Sequence, residues 1–149
     1  MYEYHAVKFT GSLLRLDSSP EDSHAMPVIT AIQFVKKVSP DRPLTVIGAG
    51  CRGLTAVLAC AVTGEADTVV ADLNGADPGY DGELLSLLPC SGIKRIGDFR
   101  TATLLLMDHP RTLTNAGATF DREWYERMAT AVGMEGKVRI SGMADSEKK

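Results

Sequence analysis

Leu44-Thr45-Val46-Ile47-Gly48-Ala49-Gly50-Cys51-Arg52-Gly53-Leu54-Thr55-Ala56-Val57-Leu58-Ala59-Cys60-Ala61 is the stretch on which the fold turns. Leu44 to Ile47 is short, apolar and β-rich, as a strand buried on both faces of a parallel sheet must be. Gly48 to Gly53 then supplies three glycines in six residues, a turn in which backbones can approach closely. Leu54 to Ala61 is almost wholly apolar and is predicted as a helix packed into the interior, closing near Gly64. Thr68 to Ala71, ending at Asp72, reads as a second buried strand. Strand, helix and strand over about thirty residues make a βαβ unit, whose crossover forces the strands parallel.

Working outward, Ala6 to Leu16 has enough Val, Phe and Leu for one or two short strands around Gly11. Asp17 to Asp22 is a loop by its turn residues and charge. A helix capped at or near Ser23 tolerates Pro27 in its first turn, and Val28, Ala31, Ile32 and Val35 recur at helical spacing as far as Lys37. Ser39 to Pro43 breaks it. Downstream, Asn74 to Gly82 is a loop and Glu83 to Leu88 is compatible with a helical turn. Asp98 can cap a helix reaching Leu106, and Pro110 ends it. Arg111 to Thr114 is a third strand. Asp121 or a neighbour opens a helix from Arg122 to Val132, which carries Trp124, Met128 and Val132 as a core stripe and stops at Gly133. Val138 to Ile140 is a fourth strand, and Ser141 to Lys149 is a polar tail. This alternation predicts one α/β domain over residues 1–149: a three-layer open parallel sheet with helices on both faces.

Bulk properties exclude several classes. The chain has 149 residues, 44% apolar and 23% charged, with a formal net charge of −3. Its mean hydropathy of −0.03 is an ordinary globular balance. No Lys/Arg cluster exceeds pairs such as Lys36-Lys37 and Lys148-Lys149, so neither nucleic acid nor an anionic membrane is expected as a partner. No apolar stretch is long enough to span a bilayer, and Met1 to His5 lacks the hydrophobic region of a signal peptide. Cys51, Cys60 and Cys90 are odd in number and widely spaced, which points to a reducing, cytoplasmic setting rather than to disulfides or zinc. No metal or cofactor follows from these residues by themselves.

The glycine turn fits two chemistries. In one it is a nucleophile elbow, Ala49-Gly50-Cys51-Arg52-Gly53, with small residues flanking a strained nucleophile. Cys51 would then project over the C-terminal edge of the sheet, with the Arg52 amide aimed at a developing oxyanion. A helix N-terminus lowers a thiol's pKa, so cysteine can serve there. In the other, Gly48-Ala49-Gly50-Cys51-Arg52-Gly53 is GxGxxG, the dinucleotide fingerprint of an NAD- or FAD-binding domain. Gly48, Gly50 and Gly53 have the three spacing roles, and Asp72 lies at the ~20-residue distance of a ribose-binding acid. A third possibility is that the glycines serve strand–helix packing alone.

The remainder of the chain separates these readings. Leu88-Pro89-Cys90-Ser91-Gly92-Ile93-Lys94-Arg95-Ile96-Gly97-Asp98-Phe99, then Ala102 to Leu106, then His109-Pro110-Arg111-Thr112-Leu113, resembles the second half of α/β hydrolases. It looks most like those of the acetyl xylan esterase and dienelactone hydrolase kind, over roughly Ser23 to Ile140. Ser91 stands where those proteins have a proline, and His109 and Thr112 depart from their alanine and second proline. The resemblance puts Cys51 at the nucleophile position and Asp121 near the acid position. Asp121 is equally suited to cap its helix, which is the reading its own neighbours favour. The histidine that should follow the last strand is missing from Ser141 to Lys149.

No other histidine replaces it. His109 precedes its strand and so belongs at the opposite sheet edge, roughly 15 Å from the turn. His24 begins a helix, and His5 is near the start of the chain. Only about forty residues precede the elbow strand, where the family has several strands and the loop that supplies a second oxyanion donor. The expectation is therefore a shortened, catalytically incomplete hydrolase-like domain. If active, it would cleave a small ester or lactone through Cys51. A shortened sheet leaves an open edge strand, which invites homo-oligomerisation through that edge.

Overall fold

In a computed structural model of the chain, the residues described are 4–9, 12–17, 25–77, 98–106 and 108–142. The elements run β1 (Tyr4–Phe9), β2 (Ser12–Asp17), α1 (Ala25–Val38), β3 (Thr45–Gly48), α2 (Gly53–Thr63), β4 (Thr68–Asp72), α3 (Asp98–Leu105), β5 (Arg111–Ala116), α4 (Arg122–Ala131) and β6 (Val138–Gly142). A 3₁₀ turn over Gly50–Arg52 joins β3 to α2. β1 and β2 form an antiparallel hairpin. The remaining strands make one parallel sheet in the sequential order β3-β4-β5-β6. This is the open parallel α/β fold that the alternation of elements implies. The stretch from Leu88 to Gly97, with Cys90 and the helical turn expected at 83–88, lies outside the described residues.

Each boundary has a local cause. α2 ends at Gly64, whose φ of 64° is the left-handed cap that lets its amide donate to Cys60 O. Asp121 caps α4 by accepting from the Trp124 amide at 3.1 Å, and Gly133 follows the helix with a φ of 72°. β5 runs two residues further than its β-propensity suggests, because Thr114 and Asn115 still accept from the loop after β4.

Register and alternation give the sheet two unequal faces. Val46, Val69 and Arg111 lie in one cross-strand row and Gly48, Ala71 and Leu113 in the next, and all six are buried. Thr45, Ile47, Thr68, Val70, Thr112, Thr114 and Arg139 alternate onto the opposite face and are half-buried or exposed. α2 sits centrally on the buried face, against β3 and β4 and between α1 and α3. Ile32, Leu54, Val57, Cys60 and Phe99 fill the space beneath and between these helices.

Two glycines allow that approach. A Cβ on Gly48 would lie 2.6 Å from Ala56 Cβ, and one on Gly53 would run into the Asp72 carbonyl. The start of α2 is therefore seated directly on the end of β4. Burial raises the Cys60 thiol pKa to about 12, which suits a filler residue and not a nucleophile. Arg111 is buried too. Burial brings its pKa down to about 10, and its Nη1 donates to Thr103 O at 2.9 Å, tying β5 to α3.

At the opposite edge of the sheet, where the strands begin, Asp67 ties three segments together. Its Oδ2 accepts from the Leu44 amide at 2.7 Å and from Lys36 Nζ at 2.9 Å. These bonds, the Leu44 amide first, hold its pKa below the ordinary 3.8, and the nearby His109 acts in the same direction. Among the described residues no helix is long and apolar enough to cross a membrane.

Candidate functional site

The C-terminal edge of the sheet brings together the glycine turn, Asp72 and the ends of β4 and β5. Asp72 is the hub. Its Oδ2 accepts from the Gly50 amide at 3.3 Å, and its Oδ1 accepts from the Asn74 amide at 2.8 Å and from Asn115 Nδ2 at 2.9 Å. Asn74 and Asn115 both have a φ of 52°, in the left-handed region that asparagine tolerates better than most residues. Beyond the strands the two chain segments stay paired. Leu73 N donates to Thr114 O, Gly75 N to Asn115 O, and Gly117 N to Ala76 O.

The turn differs from both chemistries it was matched to. In a nucleophile elbow the nucleophile itself holds the strained backbone. Here the left-handed residue is Gly50, with φ 56°, and Cys51 does not share that conformation. The Arg52 amide, aimed at an oxyanion in the elbow reading, donates instead to Ala49 O at 3.2 Å. The Gly53 amide is taken up by Gly50 O. Cys51 is half-buried on this turn, at the edge where the sequence placed it.

For the dinucleotide reading, Gly48, Gly50, Gly53 and Asp72 all lie at the expected positions, but Asp72 is committed elsewhere. Its carboxylate enters the turn and occupies, on the Gly50 amide, the place of an incoming anion. A phosphate there would face a fixed negative charge. The four parallel strands also run in sequential order, so among the described strands there is no reversal to open the crevice in which such ligands lie.

Asp121 is placed at the N-terminus of α4, following β5, which is two strands across the sheet from β3 and the Cys51 turn. Besides capping Trp124 it accepts from Arg100 Nη2 at 3.2 Å, and the Arg100 guanidinium lies 5.3 Å from the centre of the Trp124 ring. It borders a pocket of about 570 Å³ with Ala116, Gly117, Phe120, Arg122 and Gly142. The geometry thus gives Asp121 the capping role its neighbours favoured. His109 precedes β5 at the edge where the strands begin, opposite the glycine turn, with its Nε2 3.2 Å from Asp108 Oδ1. His24 and the side chain of His5 lie outside the described residues.

Sequence reasoning missed the Asn115 and Asn74 contacts to Asp72. The available signal was an asparagine just past the end of each of two adjacent predicted strands, or within it, where a side chain can bond neighbouring backbone. Among the described residues no group of three or more His, Cys, Asp or Glu could hold a metal ion. Comparison with protein-family models, curated proteins and solved structures finds no match to this chain.

Proposed function

We propose that this chain is a hydrolase-like α/β domain that is catalytically incomplete and acts through binding or structural contacts rather than by turnover. The observation that carries this reading is the state of the elbow turn. Its left-handed position is a glycine, Gly50, and that glycine's amide is held by Asp72. A nucleophile outside the strained position, beside an oxyanion amide from Arg52 that already donates to Ala49 O, has little catalysis left, since one lost donor alone costs ~10²–10³ in rate. The sequence resemblance to acetyl xylan esterases and dienelactone hydrolases supports this reading and points to ester or lactone cleavage as the activity the domain would lack. The odd number and wide spacing of Cys51, Cys60 and Cys90 are the basis for placing it in a reducing, cytoplasmic setting.

The test is hydrolysis of a small activated acetyl ester by the wild type and by Cys51→Ala. Equal, near-background rates support the proposal. Turnover that disappears in Cys51→Ala overturns it, and makes Cys51 the nucleophile of an ester- or lactone-cleaving enzyme. Titration with NAD and FAD covers the dinucleotide alternative: binding that Asp72→Ala weakens would replace the proposal with that reading.

A further inference from the structure

We propose that Asn74-Gly75 is a self-modification site, at which spontaneous deamidation is held in check by the backbone pairing around Asp72 and, once it occurs, undoes that pairing. This does not depend on the hydrolase resemblance. Leu73 to Ala76 is a tight turn, closed by the Ala76 amide donating to Leu73 O at 2.8 Å. Both central residues have positive φ, 52° at Asn74 and 74° at Gly75. That is the mirror-image type I′ turn, for which Asn-Gly is the favoured pair. The pair that the turn requires is also a reactive one. Glycine has no Cβ, so nothing shields the Asn74 carboxamide from the backbone nitrogen that follows it. Asn74 is exposed to the water that completes the reaction.

The step needs no reagent but water. The Gly75 nitrogen gives up its proton to solvent and attacks Asn74 Cγ. The new C–N bond closes a succinimide ring, and the carboxamide nitrogen leaves as ammonia. Water then opens the ring at either carbonyl, giving aspartate or isoaspartate at position 74. The fold restrains this step at its nucleophile. Gly75 N donates to Asn115 O at 2.8 Å, and its neighbour Leu73 N donates to Thr114 O at 2.8 Å. The Asn74 amide is held by Asp72 Oδ1, also at 2.8 Å. Gly75 must leave Asn115 before its nitrogen can turn on the Asn74 side chain. Opening and closing are fast beside this chemistry, so the rate follows the population of the open pairing.

Asn115 is the other asparagine of the chain and serves as an internal control. Its Nδ2 is taken up by Asp72 Oδ1 at 2.9 Å, and the residue after it, Ala116, is buried and carries a Cβ. The products at position 74 act back on the fold. Either one sets a second carboxylate close to Asp72, and like charges repel. Isoaspartate also adds a carbon to the main chain, so Leu73 and Gly75 no longer match the spacing of Thr114 and Asn115. A chain that has opened and reacted therefore closes less well than before.

The test is peptide mapping by mass spectrometry of the full chain, aged in mildly alkaline buffer with and without urea. Conversion is expected at Asn74 and not at Asn115, and at least about tenfold slower in the folded chain than in urea. Asp72→Ala should speed conversion of the folded chain about fivefold or more. Asp72→Asn, which keeps an acceptor, should fall between and is the second variant should Asp72→Ala misfold. Asp67→Asn weakens the fold at the opposite sheet edge and should leave the rate near that of the wild type, which separates local opening from global unfolding. The deamidated fraction, isolated by its added negative charge, should have a lower urea midpoint than the parent. Folded and urea-treated chains that convert equally fast overturn the proposal, as does an absence of conversion in urea. So do Asp72 variants that react no faster than Asp67→Asn, Asn115 converting in step with Asn74, or a deamidated fraction as stable as the parent.

Discussion

The Gly50 amide donates to Asp72 Oδ2 at 3.3 Å, joining the turn after β3 to the end of β4 although the residues are 22 positions apart. The bond fastens the start of α2 onto the neighbouring strand, and it shares Asp72 with Asn74 and Asn115. One carboxylate therefore holds three consecutive strand ends in place. Bonds to a charged acceptor are worth more than neutral ones, and losing the acceptor leaves its donors unmatched.

Asp72→Ala is accordingly expected to destabilise the fold by about 2 kcal/mol, read as a lower urea midpoint with an unchanged slope. Asp72→Asn should cost less, because its carbonyl oxygen still accepts one or two of these bonds. Equal stability of wild type and Asp72→Ala would mean that the turn is held by helix–sheet packing alone.

Gly53 and Gly50 should respond to one methyl group to very different degrees. Gly53→Ala drives a Cβ into the Asp72 backbone, where no flexible side chain can yield, and is expected to cost more than about 3 kcal/mol or prevent folding. Gly50→Ala meets nothing within 4 Å, so only its left-handed φ of 56° resists, at about 1 kcal/mol. Thermal unfolding of both variants checks the order, and a reversed order would contradict the close seating of α2 on β4.

Asp67 imposes an acid limit on stability. Its pKa is lowered in the folded chain, chiefly by the Leu44 amide and then by the Lys36 bond. A depressed acid contributes stability that is fully present above the unfolded value, near 3.8, and is lost as pH falls through the folded value. Wild type should therefore exceed Asp67→Asn in stability at neutral pH and converge with it as pH falls through that lowered folded value. Because the side chain is half-exposed, the gap should also shrink in salt. Urea titrations of both proteins across pH decide the point.

Much of this architecture was legible from residue order because its causes are local. An apolar run before three glycines and an apolar run after them make strand, turn and helix whatever the rest of the chain does. Gly64, Gly133 and Asp121 terminate or cap helices through contacts within four residues. The turn's chemistry was not legible in the same way. GxGxxG and the elbow pattern share residues, and what separates them is which residue takes the left-handed backbone and which group meets each amide.

Those choices are made by partners distant in sequence. Sequence alone determined that a parallel α/β sheet would carry a glycine turn at its C-terminal edge, with Cys51 and Asp72 close to it. Only the tertiary structure decided that Gly50 bears the positive φ and that Asp72 turns into the loop. The physical reason is reach: propensity, capping and hydrophobic period act over a few residues, whereas a carboxylate's hydrogen bonds are allotted by strand register across the sheet.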